Sequence, residues 1–127
     1  MDFQYSKRSL DLQKKLNSFM DKHVYPSESE FLKYYEKNLW EHHPELESWK
    51  NQAKEADLWN LFLPKDYGNL SPGLTNLEYA PLAEIMGRVT YSSEIFNCSA
   101  PDTGNMEVLA KYGSEEQKDK WLKPLMD

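Results

Sequence analysis

Apolar positions recur at steps of three and four along most of the chain, the pattern of helices that turn one face inward. Leu12, Leu16, Phe19, Met20 and Val24 form the first such stripe. Ser6 precedes it as an N-cap, because a serine hydroxyl can accept from a free first-turn N–H. Pro26 closes this helix and suits the first turn of the next, along which Phe31, Tyr35 and Leu39 recur every four residues. A third stripe, Leu46, Trp49, Ala53 and Ala56, opens at Pro44, with Glu45 and Glu47 complementing the positive end of the helix dipole.

The pattern breaks at Leu58-Trp59-Asn60-Leu61-Phe62-Leu63-Pro64, an apolar run followed by the turn-forming Asp66-Tyr67-Gly68-Asn69 and Ser71-Pro72-Gly73. Periodicity does not separate strand from extended segment here, and the run reads as a buried loop. Helical spacing resumes at Thr75-Asn76-Leu77-Glu78, a capping box. Leu77, Leu82, Ile85 and Met86 continue it, Gly87 stops it, and Pro81 inside it predicts a kink or a later start. Ser99 to Asp102 reads as another helix start, with Met106, Leu109 and Ala110 as the inward face and Gly113 as the stop. Ser114-Glu115-Glu116-Gln117 is a second capping box, opening a helix that carries Trp121 and Leu122 ahead of Pro124. The sum is an all-α fold: one domain over residues 1–127, a compact bundle of about six helices without internal repeat or linker.

Composition narrows the function classes. Fifteen Lys and Arg against 21 Asp and Glu give a net charge of −6. With no basic cluster, that leaves no surface suited to neutralising nucleic-acid phosphates. No stretch approaches the roughly 20 apolar residues that span a bilayer, and Met1-Asp2-Phe3-Gln4-Tyr5 lacks the basic-then-apolar order of a signal peptide. The lone Cys98 excludes an intrachain disulfide and all-cysteine zinc sites. These features together describe a soluble, cytoplasmic-type chain. Aromatic residues are 13% of it, so its core leans on Trp, Tyr and Phe.

Candidate chemistry is sparse. A nucleophilic cysteine needs a base beside it, and the three histidines, His23, His42 and His43, are distant from Cys98 in sequence; a small buried thiol is the simpler reading. His42 and His43 are adjacent and have no partner at ligand spacing, so they read as solvated residues flanking the Pro44 helix start rather than as a metal pair. Glu78, Glu84, Glu94, Asp102 and Glu107 could supply an acid/base pair, yet Glu78 serves a cap and Asp102 sits in a first turn where an anion is favourable anyway. No glycine-rich phosphate loop occurs. Gly104 stands inside a helix, where glycine costs about 1 kcal/mol relative to alanine; a close helix crossing explains it more simply than a ligand. By chemistry alone the chain is an acidic helical domain.

A resemblance adds more. Asn97-Cys98-Ser99-Ala100-Pro101-Asp102-Thr103-Gly104-Asn105-Met106-Glu107-Val108-Leu109, with Lys111-Tyr112-Gly113-Ser114-Glu115-Glu116-Gln117-Lys118-Asp119-Lys120-Trp121-Leu122 after it, resembles the N-terminal domain of acyl-CoA dehydrogenases. The second run is general to that family. The stretch from Asn97 to Asn105 resembles a branch associated with longer acyl chains, which Leu58 to Pro64 and Gly73 to Leu82 also fit. The resemblance implies a subunit of three parts: an N-terminal helical domain, a middle β-domain and a C-terminal helical domain. In it FAD accepts a hydride from the acyl β-carbon while a glutamate removes the α-proton. The product is a 2,3-enoyl-CoA, and the electrons pass to an electron-transferring flavoprotein.

This chain ends at Asp127, ahead of the family's flavin-gripping strand and without its catalytic glutamate. No catalytic residue is therefore carried over, no metal is implied, and the domain is expected to be inactive and without FAD on its own. A pocket wall is carried over instead. The family helix corresponding to Phe96–Leu109 lines the tail end of the acyl-CoA pocket, which makes Phe96, Ala100, Thr103 and Gly104 the expected substrate-binding residues. Their spacing of four, seven and eight residues puts them along one face, which agrees independently. A second reading is a free-standing interaction module. The apolar surface that missing domains would cover then drives a homo-oligomer or pairing with another dehydrogenase subunit. A third reading is a small-molecule-binding bundle.

Overall fold

The computed structural model describes residues 3–127; Met1 and Asp2, part of the N-terminal segment weighed against a signal peptide, lie outside the described residues. Helix α1 (Lys7–Phe19) starts where the sequence places its cap, the Ser6 hydroxyl accepting from the Ser9 N–H. At Pro26 the backbone does not break. It stays helical through a widened π turn at Met20–Val24 and a 3-10 turn at Tyr25–Ser27, then enters α2 (Glu28–Lys37). The four-residue stripe on α2 stops short of Leu39. The Asn38 side chain donates to the Tyr34 carbonyl at 3.0 Å and ends the helix, leaving Leu39 and Trp40 exposed, the latter by 93%.

Helix α3 (Leu46–Glu55) buries Leu46, Trp49 and Ala53 as its spacing predicts. Leu58, Leu61, Phe62 and Leu63 are buried without helix or strand, and one isolated bridge joins Pro64 to Leu74; the apolar run is a buried loop. Helix α4 (Asn76–Met86) begins at its capping box, so Pro81 does not delay the start. Leu82, Ile85 and Met86 turn inward, whereas Leu77, in the first turn, stays outside. The short α5 (Ser92–Ile95) precedes α6 (Asp102–Tyr112), which buries Met106 and Ala110. The second capping box opens α7 (Glu115–Gln117), which runs through a π turn at Lys118–Leu122 into α8 (Lys123–Met126) as one rod.

Two apolar clusters hold the bundle. The larger joins α1 to α5 around Leu16, Met20, Phe31, Trp49, Leu82 and Phe96; the smaller packs Phe62 and Leu63 against Met106, Ala110 and Leu122. Phe31 stacks on Tyr91 with ring centroids 3.5 Å apart and on His43 at 4.6 Å. His43 is therefore buried rather than solvated, with its Nδ1 accepting from the Glu45 N–H at 3.2 Å. A flat ring fills the aromatic stack, and its nitrogen caps the turn that enters α3.

The starts of α1 and α4 are tied to each other. The Glu78 carboxylate accepts from the Ser6 hydroxyl at 2.7 Å and from the Thr75 N–H at 2.9 Å, while the buried Ser9 hydroxyl donates to the Glu78 carbonyl. The Thr75 N–H and then the Ser6 hydroxyl hold the carboxyl below its ordinary value of 4.5. A carboxyl depressed in the folded state contributes stability above its unfolded value, and that stability is lost as pH falls through the folded one. Chemical denaturation at pH 7 and in steps below 4.5 is expected to show this loss in the native chain and a flatter profile in Glu78→Gln. Equal profiles would mean that the bonds carry no net preference for the anion.

Candidate functional site

The backbone between α5 and α6 decides where the four expected wall residues stand. Helix α5 ends at Ile95, Asn97 adopts φ +52°, the Ala100–Pro101 bond is cis, and α6 starts only at Asp102. The four therefore do not lie along one helix. Phe96 caps α5 and is fully buried, edge-on to Phe19 with ring centroids 5.2 Å apart; it belongs to the core and does not face a pocket. Its unbroken apolar spacing to the residues after it conceals the change of direction at Asn97. Ala100 and Gly104 are exposed, and Thr103 is half-buried in the first turn, its N–H bonded to the Ser99 carbonyl.

Gly104 overturns the helix-crossing explanation. It lies inside α6, and a Cβ built there would meet nothing within 4 Å. No neighbouring helix needs the missing side chain. The space lies on the outer face of α6, where Gly104, Val108 and Tyr112 follow one another at four-residue steps and are all exposed, Val108 by 58% and Tyr112 by 73%; Ala100, also exposed, stands in the turn ahead of the helix. Met106 and Ala110 occupy the opposite, buried side. Helix α6 is thus apolar on two sides. In the sequence that second row is Val108 and Tyr112, four and eight residues after Gly104, running beside the inward stripe of Met106, Leu109 and Ala110.

Beside this row, a groove of about 610 Å3 runs between α6 and the α7–α8 rod, floored by Val108, Leu109, Pro124 and Leu125 and edged by Asn105, Lys120 and Trp121. Trp121 is 46% exposed, with the Lys120 ammonium 5.1 Å from its ring centroid. The surface is apolar and almost without titratable groups. It can lie against an alkyl chain or another apolar surface, and it offers nothing to move a proton.

The remaining candidates resolve into structural parts. The Cys98 thiol is tucked beneath Tyr79 and the backbone at Leu61 and Phe62, and burial pushes it up to about 11. Burial likewise raises the Tyr79 hydroxyl beside it. No histidine reaches this pair: His23 packs on Phe19 and His43 on Phe31. Glu94 is paired with Lys50 at 2.7 Å, Glu84 with Arg88 at 3.7 Å, and Asp102 occupies the first turn of α6. A second groove, of about 740 Å3 along α1, mixes Lys14, Lys22 and His23 with Asp11 and Glu55; burial, then the neighbouring Lys22 charge, lowers the His23 pKa.

Among the described residues no three His, Cys, Asp or Glu side chains are grouped to hold a metal ion, and no helix is long and apolar enough to cross a membrane. Every buried side-chain nitrogen and oxygen among them has a partner within the domain. None of these buried side-chain atoms is left for a flavin ring to satisfy.

Residues 6–127 match the family described as acyl-CoA dehydrogenase, N-terminal domain. Mouse acyl-CoA dehydrogenase family member 10 is 50% identical over 91% of this chain, which covers 11% of that protein. The probable acyl-CoA dehydrogenase FadE2 of Mycobacterium tuberculosis is 44% identical over 100% of this chain and 31% of its own length. The solved structure of a candidate acyl-CoA dehydrogenase from Mycobacterium abscessus superposes with a TM-score of 0.88 at 46% identity, covering 97% of this chain and 32% of that one. This chain spans under a third of the length of these relatives.

Proposed function

Because the chain belongs to the acyl-CoA dehydrogenase family as an N-terminal domain, we propose that it supplies the acyl-side wall of the substrate pocket in an FAD-dependent dehydrogenase of the longer-chain type. The observation that carries this reading is the outer row of α6. Gly104, Val108 and Tyr112 are exposed, small or apolar, and carried on one helix with open space over Gly104, and exposed Ala100 stands just ahead of it. Contiguous exposed apolar surface of this kind marks a partner or ligand, and an alkyl tail needs shape and dryness rather than charge. Thr103 stands in the first turn of the same helix, and Phe96 remains in the core beside Phe19.

Under this reading the chain's own residues bind and orient the tail and keep water from it. FAD, when bound in the complete subunit, supplies the hydride acceptor, and the proton-abstracting carboxylate comes from elsewhere in that subunit. The domain is inactive alone, and the electron-transferring flavoprotein and the cytoplasmic-type setting belong to the whole protein. A second reading, an oligomerisation module built from the same domain, is favoured by the same row together with the exposed Trp121.

Two measurements on one preparation decide. The purified chain is expected to show no turnover of a long-chain acyl-CoA with a dye acceptor and to elute colourless from gel filtration after incubation with FAD. Exchanged for the N-terminal domain of FadE2, it is expected to give an active yellow enzyme. Turnover by the isolated chain overturns the inactive-alone reading, and an inactive, flavin-loaded exchange overturns the wall. Light scattering of the isolated chain that gives a stable dimer, with Trp121→Glu returning it to monomer, selects the second reading.

A further inference from the structure

Two asparagines from the sequence motifs have no part in the wall. Asn60 and Asn97 both hold positive φ, +56° and +52°, a conformation that side-chain-bearing residues enter at a cost and that tends to persist where the surroundings demand it. The two loops that carry them are joined by the Asn60 N–H donating to the Phe96 carbonyl at 3.1 Å. From this junction three donors converge on one place. Asn97 Nδ2 donates to Asn60 Oδ1 at 2.7 Å and to the Leu125 carbonyl at 2.8 Å. Asn60 Nδ2 donates to the Met126 carbonyl at 2.7 Å, and Trp59 Nε1 donates to the same oxygen at 2.9 Å.

The last carbonyls of a helix have no partner within it, and water or a local cap usually satisfies them. Here the last turn of α8 is capped by side chains 28 to 67 residues away in sequence. Met126 accepts twice, so both of its lone pairs are used, and Asn97 spends both amide hydrogens. A cap for stability alone needs neither two distant loops nor two strained backbones. What the arrangement fixes is the direction of the chain at Met126, at the end of the rod that forms one side of the groove against α6.

We propose that Trp59, Asn60 and Asn97 are positioning residues, a latch that sets where the polypeptide leaves this domain and so where the segment beyond it seats against the wall. This rests on the reading of the chain as an N-terminal domain, since relatives such as FadE2 are about three times as long. It gives the Leu58–Pro64 and Asn97–Asn105 motifs a shared task that neither the core nor the wall accounts for.

Glycine accepts the positive φ and deletes the side chain, so Asn60→Gly and Asn97→Gly remove the latch without adding strain. Trp59→Phe removes one donor and keeps a ring in place. Amide hydrogen exchange of the isolated chain, followed by NMR, is the test. Asn60→Gly and Asn97→Gly are each expected to speed exchange at Leu125, Met126 and Asp127 at least tenfold, and Trp59→Phe at Met126 and Asp127, while amides in α1 and α4 stay within threefold of the native chain. Asn60→Asp, which can still accept from Asn97 but no longer donates to Met126, is expected to loosen Met126 and Asp127 and spare Leu125.

Unchanged exchange at the last three residues overturns the proposal, and so does a uniform rise across all helices, which is the mark of a merely structural role. Should a glycine variant fail to fold, Trp59→Phe decides by the same two criteria. The measurement needs neither acyl-CoA nor flavin, so failure of the latch and failure of the dehydrogenase reading are seen in different experiments.

Discussion

Phe96→Ala is expected to destabilise the domain by about 3–5 kcal/mol, the range for removing a fully buried phenyl ring. The ring has no exposed surface, meets Phe19 edge-on, and sits where α5 gives way to the Asn97 turn. Its carbonyl also accepts from the Asn60 N–H, so relaxation into the cavity would disturb the junction of two loops. Small domains have about 5–15 kcal/mol in total, which brings the variant close to the unfolding threshold at room temperature. Urea titration followed by tryptophan fluorescence reads the change directly. Val108→Ala, on the exposed row, is expected to stay within about 0.5 kcal/mol of the native chain. The contrast separates the two positions: a core residue is read in stability, whereas a residue of the proposed wall would be read in ligand binding. A Phe96→Ala chain of native stability would return that residue to the pocket side.

The helices were legible because their starts are written in local chemistry. Ser6, Thr75 and Ser114 each satisfy an N–H three residues on, and no distant residue is needed to read that. Buried faces were legible where the stripe runs through a helix middle, as at Leu16, Trp49 and Met106. The reading fails where the chain changes direction without changing its hydrophobicity. Phe96 and Met106 are both buried, yet the backbone turns at Asn97 between them, so spacing across the turn carries no information about faces. Leu39 shows the same failure at a helix end. Periodicity continues past Asn38, and the asparagine's own bond to the Tyr34 carbonyl stops the helix. His43 was misplaced for a different reason: a histidine in a polar run is indistinguishable from a solvated one until Phe31 and Trp49 are known to close over it.

The exposed apolar surface proposed as the wall was half legible. The resemblance directs attention to α6 and the turn before it, where Gly104 lies on the exposed face of the helix and exposed Ala100 stands just ahead of it. The resemblance could not tell that Phe96 belongs to the inside, because that depends on the turn. Nor did it supply Val108 and Tyr112, although their four-residue spacing from Gly104 is in the sequence, or Trp121, whose place beside α6 depends on how the α7–α8 rod packs. Asn60 and Asn97 are 37 residues apart, and nothing local in either motif announces that they meet.

Gly104 offers the sharpest separation between packing and function. A helical glycine costs about 1 kcal/mol relative to alanine, and here neither a positive φ nor a neighbouring atom requires it. Gly104→Ala is therefore expected to raise the stability of the isolated chain by about 0.5–1 kcal/mol, read as a higher urea midpoint with an unchanged slope. Gly104→Phe, with open space for its ring on this chain, is expected to fold normally. In the FadE2 domain exchange, under the proposed wall reading, the same ring takes volume that an acyl tail would fill. Each methylene denied burial costs about 0.8 kcal/mol, and a phenyl ring displaces several. Relative kcat/KM for the longest accepted acyl chains is then expected to fall about 10- to 100-fold, while chains too short to reach the wall are turned over as before. A uniform loss at all lengths would mean that the ring disturbs the fold or the flavin instead. An unchanged length profile in a stable, flavin-loaded enzyme would place the acyl tail elsewhere. The glycine would then be left without either a packing or a binding reason.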